Sequence, residues 1–249
     1  MESVKRVHPL YPAGCVGLDR GQAMDNGRVS IRRECSALIV VDMQPDFIEG
    51  GALPTQGGRV VVAPIAELMS SGYFRYCVAT QDWHPPEHIS FASSHPGREP
   101  FDVIELYGQE QVLWPEHCVQ GSAGAALHPE LPWEKAAAIV RKGEDPLVDS
   151  YSGFLNNWNA DGRRPPTGLA GYLRERGITD LFLCGLARDY CVKWSAEDAI
   201  AAGFTTYVLW DLTRPVDSGT DERVRTHLGT KGVGIIRSEQ LTCDQHGAS

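Results

Sequence analysis

Polar side chains stand at the ends of several short apolar runs in this chain, and this placement is the feature that most restricts its fold. The runs have the composition of β-strands and span residues 37–41, 75–80, 137–141, 180–184, 205–210 and 233–237. Asp42, Asp82 and Lys142 come at the ends of the first three runs, and Cys191 lies a short turn after the fourth. Because the carboxyl ends of parallel strands meet along one edge of a sheet, where ligands bind, we expect these side chains to surround one pocket.

Helical patterns separate several of the predicted strands. They cover residues 59–71, 167–176, 190–202 and 220–229. This alternation predicts an α/β fold, a three-layer αβα arrangement with a mainly parallel six-stranded sheet, doubly wound and Rossmann-like. Residues 1–35 have little periodicity and are interpreted as an N-terminal extension, so that residues 36–249 form the single domain.

Composition and charge exclude several classes of protein. The formal net charge is −9 without a cluster of Lys and Arg, so nucleic-acid binding is not expected. No apolar stretch reaches the roughly 18 residues of a membrane span, and residues 1–30 lack the apolar region of a secretory signal. The cysteines are seven, an odd number without tight paired spacing, which predicts free thiols and a reducing compartment, the cytoplasm.

Residues 83–135 combine many Pro, His and Gly with little regular period. A loop region of this length inside a compact domain is usually functional or wrongly assigned. Asp82 and His84 point to the same side of an extended segment, and His88 and His117 follow within this region. Imidazole and carboxylate ligands suit Zn, Fe or Mn, although solvent-exposed loop histidines would give the same pattern.

The other candidates also have two interpretations each. Cys191 lies between a predicted strand and a helix start, where a thiol pKa is lowered and backbone N–H groups can bind an oxyanion, but buried cysteines are mostly inert. Cys118 is the alternative thiol, although it follows no predicted strand. Asp42 is either a general base or the cap of the following turn, and Lys142 is either a buried charge or a solvated strand end.

Four segments, in order along the chain, resemble motifs of one family. Residues 38–47 contain D-x-Q-x-D-F, which resembles the opening motif of the isochorismatase-like cysteine hydrolases. Three further segments resemble the nicotinamidase branch of that family, namely D-W-H-x-x-x-H in residues 80–88, W-P-x-H-C in residues 113–118 and the nucleophile segment 187–193. The resemblance extends from about Ala37 to Pro215, and Pro45 stands where the family commonly has Asn.

The resemblance implies a set of catalytic residues. Cys191 would be the nucleophile, with Asp42 and Lys142 completing a triad. The Leu186–Ala187 peptide bond would be cis, and the N–H groups of Ala187 and Cys191 would form the oxyanion hole. The implied reaction converts nicotinamide and water to nicotinate and ammonia through a thioester, as part of NAD salvage, and pyrazinamide is an expected second substrate.

The resemblance also implies binding residues and partners. The implied metal ligands are Asp82, His84 and His117. Their expected cation is Zn²⁺, with Fe²⁺ or Mn²⁺ as alternatives, and His88 is expected close to it. Phe47 and Trp114 would enclose the pyridine ring of a small-molecule substrate, and the family is often homo-oligomeric.

Three other functions remain compatible with the residues. The first is an amidase of the same superfamily that acts on a different small carboxamide. The second is a binding or regulatory protein on the same fold, although the thiol and the lysine are both present. The third is a structural zinc module with Cys118 as a ligand, in which case metal would be present without amide hydrolysis.

Overall fold

The computed structural model describes residues 24–25 and 27–243. Its strands are β1 (Met24–Asp25), β2 (Arg28–Ile31), β3 (Ser36–Val41), β4 (Tyr76–Asp82), β5 (Val103–Leu106), β6 (Gln109–Val112), β7 (Ala136–Lys142), β8 (Asp180–Leu186), β9 (Thr205–Arg214), β10 (Gly234–Ile236) and β11 (Leu241–Cys243). The α-helices are α1 (Val62–Ser70), α2 (Leu169–Arg174), α3 (Lys193–Ala201) and α4 (Asp221–Lys231). A π-helical turn, Arg188–Val192, leads into α3.

A parallel sheet of six strands, in the order β10-β9-β8-β3-β4-β7, forms the middle layer. Every residue of β3 is buried, as expected for a central strand with both faces covered. The predicted αβα fold with a mainly parallel six-stranded sheet is confirmed, and the six predicted strands all belong to this sheet.

The two faces of the sheet pack against different helices. Side chains alternate along a strand, so Val40 joins the core beside Ile65 of α1, whereas Ile39 joins the core beside Leu173 of α2 and Ala196 of α3. Helices on both faces make the fold doubly wound.

The segment 83–135 contains a hairpin that periodicity did not predict. Strands β5 and β6 pair antiparallel around Tyr107 and Gly108, whose φ angles of 53° and 75° suit a two-residue hairpin turn. Exposed Glu105 and Gln109 reduce the apolar alternation that normally marks a strand. The polar character of this hairpin therefore concealed it.

The end of the N-terminal extension packs onto the domain. Strand β2 pairs in parallel with β11, and its Val29 and Ile31 are fully buried in the core. Residues 1–23 and 26 of the extension lie outside the described residues.

The cysteines differ in one respect from the expectation of free thiols. Cys35 is disulfide-bonded, so that prediction is wrong for this residue. Among the residues that the structure describes, the free thiols are Cys77, Cys118, Cys184, Cys191 and Cys243. Within residues 24–25 and 27–243, no helix is long and apolar enough to span a membrane.

Candidate active site

Four polar side chains converge at the carboxyl edge of the sheet. Asp42 follows β3, Asp82 ends β4, Lys142 ends β7, and Cys191 lies in the turn after β8. These strands are neighbours in the order β8-β3-β4-β7, and none of the four side chains is more than 4% exposed. The structure thus brings together groups that are far apart in the sequence.

Lys142 lies at the centre of this cluster. Its Nζ is 2.9 Å from Asp42 Oδ2, 2.6 Å from Asp82 Oδ1 and 3.5 Å from Cys191 Sγ. Nζ also donates a hydrogen bond of 3.0 Å to the carbonyl of Ser150. Burial alone would lower the pKa of Lys142, but Asp42 and Asp82 outweigh it and raise the pKa well above its usual value. The Lys142 side chain is therefore protonated and forms ion pairs with both carboxylates.

Asp42 is held in an orientation that leaves one carboxylate oxygen available. Its φ of 44° lies in the left-handed region, which a non-glycine residue adopts at a cost and which is concentrated at functional sites. Thr80 Oγ1 donates a hydrogen bond of 2.6 Å to Oδ1, whereas Oδ2 accepts no aligned hydrogen bond among the described residues. Burial raises the pKa of Asp42, against the opposing charge of Lys142. This carboxylate is thus suited to accept a proton.

The environment of Cys191 differs from the sequence-based expectation. Burial raises the pKa of its thiol well above the usual value, and Lys142 offsets this only in part, so the expected lowering by a helix start is wrong. The resting Cys191 side chain is therefore a neutral thiol. A neighbouring base is consequently needed to form the thiolate, and Asp42 is one of the groups whose ligand atoms lie within 4.8 Å of one another here.

A glycine near the end of β8 lets this strand come close to β3. Gly185 has a φ of 108°, and a side chain there would overlap the carbonyl of Val41 in β3. Only glycine therefore lets the two strands come this close at their ends. One residue further on, the Leu186–Ala187 peptide bond is cis. Ala187 and Cys191 both line a cavity at the carboxyl edge of the sheet.

Asp82, His84 and His117 form a buried group suited to a divalent cation. Asp82 Oδ2 lies 3.4 Å from His84 Nε2 and 3.6 Å from His117 Nε2. The Nδ1 of His84 faces the carbonyl of Gly143 at 3.1 Å, and the Nδ1 of His117 faces the carbonyl of Pro115 at 2.8 Å. A carbonyl partner requires a proton on Nδ1, which leaves each Nε2 lone pair free for a metal. The donor set and its outer contacts fit a Zn²⁺ or Fe²⁺ site.

His88 lies beside this group without joining it. Its ring centroid is 4.3 Å from that of His84, but its Nδ1 contacts Ser90 Oγ at 2.8 Å and its Nε2 contacts the carbonyl of Val148 at 3.3 Å. Burial, followed by the neighbouring His84, lowers the pKa of His88 to about 4. His88 is therefore neutral, with both ring nitrogens occupied by protein groups.

Aromatic side chains enclose the cavity next to Cys191. Phe47 and Trp114 both line it, with ring centroids 5.5 Å and 6.5 Å from that of His117. Tyr151 and Tyr190 complete the wall. The cavity volume is about 20 Å³, room for about one water molecule, so the enclosing side chains leave little spare space beside Cys191.

Several site residues were not singled out from the sequence. Thr80 orients Asp42, and the side chain of Gln44 makes hydrogen bonds of 2.8 Å with both the N–H and the carbonyl of Asp82. Gln44 belongs to the D-x-Q-x-D-F motif, which was a usable signal. Tyr151 had none, because nothing in the local sequence places it beside Trp114.

Comparison with known proteins identifies the family to which the chain is similar. The model of the isochorismatase domain matches residues 36–240. The nicotinamidase of Acinetobacter baylyi is 46% identical over 206 residues, which cover 82% of this chain and 94% of that protein. A structure from L. infantum in complex with nicotinate is 39% identical with a TM-score of 0.76, covering 87% of this chain and 100% of the other. The pyrazinamidase of Pyrococcus horikoshii in complex with zinc is 34% identical with a TM-score of 0.65, covering 82% and 99%.

The chain therefore belongs to the isochorismatase family of α/β proteins. Within this family it falls in the nicotinamidase and pyrazinamidase branch, and it is a hydrolase that acts on amides.

Proposed function

We propose that this protein hydrolyses nicotinamide to nicotinate and ammonia, with Cys191 as nucleophile. The observation that carries the proposal is the position of Lys142, whose Nζ lies 3.5 Å from Cys191 Sγ and 2.9 Å from Asp42 Oδ2. A thiol, a base and a cation in mutual contact beside an aromatic cavity are suited to covalent amide hydrolysis. The similarity to nicotinamidases supports the same substrate.

The first half of the reaction forms a thioester. Asp42 Oδ2 removes the proton from the Cys191 thiol as Sγ attacks the carboxamide carbon of the substrate. The N–H groups of Ala187 and Cys191 stabilise the negative oxygen, and one such donor is worth roughly 3 kcal/mol. Asp42 then returns its proton to the departing nitrogen, so that ammonia leaves and the acyl group remains on sulfur.

The second half regenerates the enzyme. Asp42 takes a proton from a water molecule that attacks the thioester carbon, and the same N–H groups stabilise the oxyanion again. Collapse of this intermediate breaks the carbon–sulfur bond, releases nicotinate and returns the proton to Cys191. Lys142 remains charged throughout and stabilises the anionic forms of Asp42 and Cys191.

Asp82, His84 and His117 are proposed to hold one divalent cation, Zn²⁺ before Fe²⁺ or Mn²⁺. When bound, such a cation supplies Lewis acidity and can orient the pyridine nitrogen or lower the pKa of water. Asp82 belongs both to this group and to the contacts of Lys142, at 2.6 Å, so the cation and the triad share one carboxylate.

The wider role follows from the substrate. Deamidation of nicotinamide belongs to NAD salvage, and pyrazinamide differs from nicotinamide by one ring nitrogen, so the same cavity is proposed to accept it. The proposed cytoplasmic location is supported by the five free thiols among the described residues, whereas the disulfide at Cys35 argues against it. A homo-oligomer stays a prediction from the resemblance.

Release of ammonia from nicotinamide by the purified protein is the direct test. We expect turnover as isolated, loss of turnover after chelation and its return when Zn²⁺ or Fe²⁺ is added. Benzamide, which lacks the ring nitrogen, is the matched comparison substrate. No ammonia under any metal condition would contradict the proposal and direct the search to other carboxamides.

Replacing His84 with alanine is expected to remove bound metal and activity together. The substitution deletes one of three ligands, which leaves too few protein donors for tight binding. Metal content per chain, measured by elemental analysis, should fall from about one to near zero. His95, outside the group, gives the control His95→Ala, and full metal content in His84→Ala would contradict the ligand assignment.

A further inference from the structure

The β5–β6 hairpin reaches the wall of the substrate cavity through one buried side chain. Gln111, on β6, is only 4% exposed, whereas its hairpin neighbours Gln109 and Glu110 are exposed. A buried amide must find hydrogen-bond partners, since an unpaired one costs free energy. Besides the carbonyl of its neighbour Val112, at 2.8 Å, the partners of the Gln111 amide are residues of the candidate active site.

The amide of Gln111 joins two parts of the cavity wall. Its Nε2 lies 2.7 Å from Asp149 Oδ2 and 3.1 Å from the hydroxyl of Tyr151. The same hydroxyl accepts a hydrogen bond of 3.2 Å from Trp114 Nε1. Gln111 thus fixes Tyr151, and Tyr151 in turn fixes the indole that is proposed to contact the substrate ring.

Behind this wall lies a second cavity of about 250 Å³. Asp149 and Tyr151 line both cavities, and Gln111, Trp158 and Trp194 line the second one only. On the side of the second cavity the Tyr151 ring contacts Trp194, with a centroid distance of 5.5 Å, and its hydroxyl is held by the hydrogen bonds from Gln111 and Trp114. Without them Tyr151 has room to move away from the substrate.

We propose that Gln111 is a positioning residue that sets the width of the substrate cavity and so restricts the enzyme to carboxamides with a single six-membered ring. The inference rests on the proposed function. Gln111 acts through Tyr151 and Trp114 and touches no reacting atom. Its loss should therefore weaken substrate binding and relax selectivity by size, while the chemistry at Cys191 continues.

The test compares Gln111→Met, which keeps length and removes the amide, with Gln109→Met, an exposed residue on the same face of β6 whose side chain makes no hydrogen bond to Asp149 or Tyr151. Steady-state kinetics are measured with nicotinamide and with quinoline-3-carboxamide, which carries a second fused ring. For Gln111→Met we expect KM for nicotinamide to rise about ten-fold, with kcat changed less than about three-fold. The ratio of kcat/KM for the larger amide to that for nicotinamide should rise about ten-fold. Gln109→Met should match the wild type in all three values.

Other outcomes are equally decisive. Unchanged KM and unchanged size selectivity in a folded Gln111→Met would overturn the inference, and so would an equal loss of kcat for both substrates. Failure of the wild type to hydrolyse nicotinamide would instead reject the proposed function. If Gln111→Met does not fold, Tyr151→Phe is the second variant, because it removes only the hydroxyl that Gln111 and Trp114 both bind. It should relax size selectivity in the same direction. Unchanged size selectivity in Tyr151→Phe would also overturn the inference.

Discussion

Replacement of Cys191 by alanine is expected to lower kcat for nicotinamide by at least about four orders of magnitude. The substitution removes the atom that is proposed to form the thioester, and no neighbouring group in the cluster can replace it. Fold and metal content should be unchanged, because alanine removes a single side-chain atom and the three proposed metal ligands are intact. Ammonia release in single-turnover and steady-state assays, with metal analysis on the same sample, measures both effects.

Cys118 provides the matched control for this experiment. It was the alternative nucleophile, it is fully buried, and burial raises the pKa of its thiol well above the usual value. Cys191 shares that raised pKa, but Cys191 lines the cavity and contacts Lys142, whereas Cys118 is not among the residues that line the cavity, so Cys118→Ala should retain activity and lose only some stability. If Cys191→Ala keeps more than a few per cent of activity, or if Cys118→Ala is the inactive variant, the nucleophile has been misassigned.

Replacement of Lys142 by methionine should abolish activity and lower the free energy of unfolding by about 3–5 kcal/mol. Methionine fills a similar volume but leaves Asp42 and Asp82 buried without their shared cation, at 0% and 2% exposure. Such uncompensated charges are the usual cause of losses of this size. Urea denaturation of metal-free protein at pH 7 gives the magnitude, with Lys135→Met, an exposed lysine, as control.

The pH dependence gives this prediction a second, independent readout. In the wild type burial raises the pKa of Asp82, but Lys142, together with His84 and His117, outweighs burial and holds that pKa well below its usual value, so Asp82 stays ionised and stabilising down to acidic pH. Without Lys142, burial raises the carboxyl pKa values, and protonation then relieves the repulsion as the pH falls. The stability difference between Lys142→Met and the wild type should therefore shrink from pH 7 to pH 5.5. A difference that stays constant would show that lost packing, rather than lost charge, is responsible.

The parts of this molecule that sequence reasoning predicted are those with a local signal. The strand 36–41 is a continuous apolar run with β-branched residues, and Asp42, Asp82 and Lys142 each end such a strand. Sequence reasoning did not predict properties that depend on tertiary contacts. The thiol pKa of Cys191 depends on burial beneath the cavity wall, and the role of Gln111 depends on contacts with Asp149 and Tyr151, some forty positions away.

The assembly of the cluster from four adjacent parallel strands has a consequence for folding. Parallel strands need long crossover connections, so their pairing closes large loops and is slow. Asp42 and Cys191 become neighbours only when β8 pairs with β3, and Lys142 joins them only when the edge strand β7 pairs with β4. A chain in which these four strands have not paired lacks the assembled cluster, so during refolding the recovery of activity should report the pairing of β8, β3, β4 and β7 rather than collapse of the core.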